Sequence, residues 1–163
     1  MCSYCGCRAI GPIRDLTLEH VEIRNLMGEV RRAVERDDLD AAVEHLTALL
    51  PVLTAHDAVE ELSIYRSMER VPEQSEKVGT LFDEHDDLVG ILERAMRHIR
   101  RSGPESVDWP EVLDGFSMLW EHIDHEENGL FPAAAIALEN EDWELAEEIR
   151  AAVADGRIRT RQY

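Results

Sequence analysis

Positive charge is scarce in this 163-residue chain. Only Lys77 is a lysine, and seventeen basic residues face thirty-five acids, for a formal net charge of −18. Such a surface repels a phosphate backbone and an anionic bilayer, which excludes nucleic acid and membrane headgroups as partners. No run of eighteen apolar residues occurs, and the opening MCSYCGCRAIGPIR has no basic-then-apolar leader pattern. A soluble, cytoplasmic protein is therefore expected. Cysteine is confined to Cys2, Cys5 and Cys7, so no four-thiolate zinc or iron–sulfur site can form within the chain. No segment alternates polar and apolar residues with β-branched enrichment, so strands are not expected.

What remains is helical periodicity. Leu16, His20, Ile23, Met27, Val30 and Val34 recur at steps of three and four, as do Leu81, His85, Leu88, Leu92, Ala95 and Ile99. Breaks fall at Asp37-Asp38, Val71-Pro72 and Ser102-Gly103-Pro104, with Asp108 placed to cap a helix beginning at Trp109-Pro110. The sequence predicts helices over 15–36, 39–69, 73–101 and 109–131, with a shorter fifth near 141–154. Pro51 should kink the second. Short connections make consecutive helices antiparallel, so the expected fold is all-α: an up-down-up-down four-helix bundle with a short C-terminal helix. The expected organisation is an N-terminal cysteine-containing arm (1–14), the bundle (15–132) and a C-terminal helical appendage (133–163).

The histidines expose an internal repeat. His20 in LEHVEI matches His85 in DEHDDL, and His56 in HDAVEELSIYR matches His122 in HIDHEENGLFP. The spacing is 36 residues in the first pair and 37 in the second, which makes each copy one helix pair. Each pair straddles a turn at its midpoint. A chain rising ~1.5 Å per residue up one helix and down the next returns both histidines to one height. Glu60 and Glu126 follow His56 and His122 by one helical turn on the same face. Six residues should therefore point inward at one level: His20, His56, Glu60, His85, His122 and Glu126. Burying them without a cation would be costly, and the mixed nitrogen and oxygen set suits iron, manganese or zinc. If both carboxylates bridge two metals, each metal receives two nitrogens and two oxygens. An oxo or hydroxo bridge would add a fifth ligand and leave one position open.

These residues resemble the hemerythrin-like (HHE cation-binding) family, with its pattern H…HxxxE…H…HxxxE and the EExxLFP-like tail at Glu126–Pro132. The resemblance covers roughly 15–132 and implies a non-haem di-iron centre, two iron ions inside a four-helix bundle. Oxygen-carrying hemerythrins use five histidines, with an HxxxH and a later aspartate. This chain has no HxxxH, so reversible oxygen carriage is not expected. Ferritin-type Glu-x-x-His is absent as well.

Hydrogen peroxide decomposition by a catalase-like oxidoreductase, in oxidative-stress defence, is the function this resemblance suggests. An O2- or NO-binding, or iron- or redox-sensing, module is the alternative, and a zinc-holding structural bundle is the third reading. Tyr65, Asp57, Glu127 and His125 are candidates to stand behind the ligands, although Asp57 is read as facing solvent and Tyr65 as packing in the core. Glu61 lies off the inward stripe. Glu19 and Glu84 read as ordinary solvated acids, and His45 and His98 fit no ligand geometry. Cys2, Cys5 and Cys7 are either redox thiols or part of a tail without chemistry.

Overall fold

In the computed structural model, which describes residues 6–163, the chain is helical throughout its ordered elements. α1 spans Gly11–Glu35, four residues earlier than expected, because Pro12 sits in its first turn where no amide hydrogen is needed. α2 (Leu39–Glu60) runs through the exposed Pro51 without a break. It is extended by a π turn (Glu61–Tyr65) and by α3 (Arg66–Met68). α4 spans Ser75–Ser102. α5 (Trp109–His125) passes through a second π turn (Glu126–Leu130) into α6 (Phe131–Ala137), so this helical run continues beyond residue 131. α7 covers Asn140–Ala154. No described helix is long and apolar enough to cross a membrane.

The turns are built as their residues require. Asp37 adopts a left-handed φ of 56°, a conformation aspartate tolerates, and the Asp38 side chain then accepts from the Ala41 amide to cap α2. In the second repeat Gly103 takes φ 86°, and Asp108 caps α5 through the Glu111 amide. α1, α2, α4 and α5 form the up-down-up-down bundle. α7 packs on α2 and the first π turn, and its Asp142 accepts from Ser67 of α3 and from Arg70 just beyond it.

The core has two apolar layers. One, near the interhelical turns, contains Ile23, Met27, Leu46, Leu53, Leu88, Leu92, Leu119 and Ile123. The other, at the opposite end, contains Cys7, Leu16, Val59, Tyr65, Leu81, Leu130 and Phe131. Each fully buried leucine contributes about 1.5–3 kcal/mol. His20 lies between Leu16 and Ile23 along α1, and His85 between Leu81 and Leu88 along α4, so the polar level is sandwiched between these layers. Cys7 is a buried member of this core rather than part of a solvated arm, while Cys2 and Cys5 lie outside the described residues.

Candidate metal centre

The six inward residues meet as the spacing predicts, and all are buried: His20, Glu60 and Glu126 are fully so. They form two overlapping groups, His20, His56, Glu60 and Glu126 in one and Glu60, His85, His122 and Glu126 in the other. Glu60 and Glu126 belong to both. His56 Nε2 lies 3.2 Å from Glu60 Oε2, and His20 Nε2 lies 3.2 Å from Glu126 Oε2. His85 Nε2 and His122 Nε2 are 2.9 Å apart. Adjacent ligands on one ion, held at ~2.1 Å, stand about 3 Å from each other, so these separations fit two cations. Four atoms at this level, His20 Nε2, both oxygens of Glu60 and Glu126 Oε2, are buried with no hydrogen-bond partner. Such atoms cost free energy unless something binds them, and a pair of divalent ions satisfies all four.

Each imidazole is held from behind by a glutamate. His20 Nδ1 donates to Glu127 (3.1 Å), His56 Nδ1 to Glu19 (3.0 Å), His85 Nδ1 to Glu61 (2.9 Å) and His122 Nδ1 to Glu84 (2.7 Å). A carboxylate only accepts, so Nδ1 carries a proton and Nε2 is the ring nitrogen left facing the centre, the atom that would bind a cation once it loses its own proton. The four glutamates obey the repeat: Glu19 and Glu84 precede the first histidine of each copy, and Glu61 and Glu127 follow the shared glutamate. Glu19 and Glu84 are therefore not the solvated acids expected, and Glu127 is buried. His125 is exposed, 3.6 Å from Glu84.

Two positions break the symmetry. Tyr65 is fully buried and donates to Glu126 Oε1 over 2.5 Å, with its ring stacked on His85; its counterpart Phe131 stacks on His20 without a polar contact. Asp57 turns inward, not to solvent. Its Oδ1 is buried, unpartnered and 3.9 Å from His85 Nε2, where the second repeat has Ile123. Asp57 also lines a cavity of about 200 Å³ between α2, α4 and the C-terminal segment that ends at Tyr163. His45 and His98 stay away from the centre, the latter exposed.

In the metal-free protein the titrations follow from this packing. Burial pushes the four histidines down, but the facing carboxylates outweigh it: His20, His56 and His85 are raised, and His122 reaches about 10. Burial and the neighbouring Glu126 raise Glu60, while His122 and His20 overcome burial to hold Glu126 well down. Burial, reinforced by Glu126 and Glu60, pushes the Tyr65 phenol well up, so it keeps its proton.

The profile of the hemerythrin HHE cation binding domain matches residues 11–134. The chain belongs to this family. The match takes in the four bundle helices, both π turns and the six inward residues, so this hemerythrin domain is a metal-binding helical bundle. Comparison with curated proteins and with solved structures gives no significant match in either set.

Proposed function

We propose that the domain holds two iron ions, for which His20 and His56 on one side, His85 and His122 on the other, and Glu60 and Glu126 common to both groups would be the ligands, and that it decomposes hydrogen peroxide. The observation that carries the reading is the set of four unpartnered, buried donor atoms shared between the two groups. Two irons there would supply paired one-electron redox chemistry, as the dismutation of two peroxides to oxygen and two waters requires.

The chain's own residues supply the rest. The glutamates at Nδ1 fix all four imidazoles and raise their basicity. The apolar layers above and below exclude bulk water. Tyr65 keeps a proton on its hydroxyl oxygen at Glu126 Oε1, next to His122. Asp57, between the cavity and His85, is placed to accept a hydrogen bond from a small protic molecule entering there. A second reading, a redox- or gas-sensing module, is favoured by one contact: Arg8, adjacent to Cys7, pairs with the Glu127 that holds His20.

Elemental analysis with an absorption spectrum, followed by oxygen release on peroxide addition, tests the proposal. Two irons per chain with oxygen evolution support it. Iron without evolution leaves the sensing module, and a colourless zinc protein removes both.

A further inference from the structure

The six inward residues are symmetric between the two repeats, but the charges behind them are not. On the His20/His56 side, Glu127 pairs with Arg8 at 3.1 Å and has Arg24 at 3.8 Å, and Glu19 pairs with Arg150 of α7. On the His85/His122 side, no arginine lies within ion-pair distance of Glu61 or Glu84 among the described residues. Besides the His122 that it holds, the basic group within ion-pair distance of Glu84 is the exposed His125 at 3.6 Å. Arg159 and Arg161 line the cavity beside Glu61 and Asp57 but pair with neither. The residue equivalent to Arg24 in the second repeat is Val89, and Asp57 adds a third carboxylate to this side, 3.9 Å from His85 Nε2. Counting Asp124, which holds Arg24 at 2.8 Å, one position has three acids paired with three arginines, and the other has three acids with no arginine paired to them.

A cation feels this difference through a low-dielectric interior, where screening by salt is weak. An arginine on the distal oxygen of a glutamate also draws charge away from the imidazole that the glutamate supports. Both effects favour a divalent ion on the same side. We propose that Arg8, Arg24 and Arg150 make the two metal positions unequal, so that the first divalent ion enters at His85/His122 and the second at His20/His56. The arginines touch neither metal nor histidine; they are positioning residues. Two of them come from outside the four bundle helices, which gives the N-terminal turn and α7 a role in setting the loading order.

This inference rests on the two-metal reading above. The full-length protein, labelled with ¹⁵N-histidine and stripped of metal, is titrated with Zn(II) while the ring-nitrogen resonances are followed by NMR. Single histidine substitutions assign the signals. The expected result is that His85 and His122 shift with the first equivalent and His20 and His56 with the second, the first binding at least about tenfold more tightly. In the R8Q/R150Q variant, both substitutions outside the inward set and with Arg24 and Asp57 retained, the difference in affinity between the two pairs should narrow. Simultaneous shifts in the unaltered protein, or His20 and His56 first, would overturn the inference. An unchanged difference in affinity in R8Q/R150Q would overturn the role of the arginines. Saturation at one zinc per chain would overturn the two-metal reading itself.

Discussion

The hydroxyl of Tyr65 reaches across the bundle to Glu126 Oε1 at 2.5 Å and lies 3.3 Å from His122 Nε2, whereas Phe131, its counterpart in the second repeat, offers His20 only a ring face. A buried phenol that must stay protonated is thus held against one of the two shared carboxylates. Tyr65→Phe should keep the wild-type iron content and cost roughly 1 kcal/mol in the metal-free protein, for one lost hydrogen bond. It should lower peroxide turnover about tenfold or more. Oxygen-electrode rates and denaturant melts on one preparation check both; full turnover with full iron would remove the phenol from the chemistry.

Glu60 offers two buried oxygens with no partner, and burial together with Glu126 raises its pKa. Glu60→Gln should destabilise the metal-free fold at neutral pH, by up to about 3–5 kcal/mol, since it leaves the raised imidazole of His56 without its facing carboxylate. The same variant should not retain two metals. Melts of chelator-treated protein and elemental analysis separate the two effects.

Protons compete with metal for the imidazole nitrogens. The folded pKa of His122 is about 10, above its ordinary 6.5, so its contribution to the metal-free fold is complete below pH 6.5 and lost as pH rises through 10. Metal-free protein should therefore weaken between those values, and His122→Gln should flatten the profile. Iron or zinc uptake at pH 7 should release protons and strengthen with pH. Melts across this range and calorimetry in buffers of different ionisation enthalpy are the measurements.

Glu19 behaves oppositely. Burial pushes it up, but His56 and Arg150 hold it down at about 2, so its contribution is complete above pH 4.5 and lost as pH falls towards 2. Glu19→Gln should cost about 1 kcal/mol at neutral pH, after allowance for its 26 % exposure. Faster hydrogen exchange in α7, which Arg150 ties to Glu19, would report the loss.

The six inward residues and the bundle were legible because helical periodicity and the repeat place them without reference to anything else in the chain. Glu19, Glu61, Glu84 and Glu127 were harder: in a chain with thirty-five acids, one more glutamate carries no signal. The repeat offset was the available clue, since it pairs Glu19 with Glu84 and Glu61 with Glu127 as it pairs the histidines. Asp57 and the three arginines had no such clue, because each breaks the repeat. The π turns were invisible for another reason: a widened turn is stabilised by what packs around it, not by the local residues.

Those two turns make spacing, as much as composition, a determinant of the centre. One π turn begins immediately after the shared Glu60 and the other at the shared Glu126, and each holds one residue more than a regular helical turn. Successive α-helical residues are separated by about 100° around the axis. Deleting one residue at 62–64 would close the turn to regular helical spacing with Tyr65 still on the face of Glu60, whereas inserting one would leave all six inward residues in register and swing the phenol of Tyr65 about 100° away from Glu126. The phenol's approach to the centre is thus a property of chain length, open to gain or loss by a single codon.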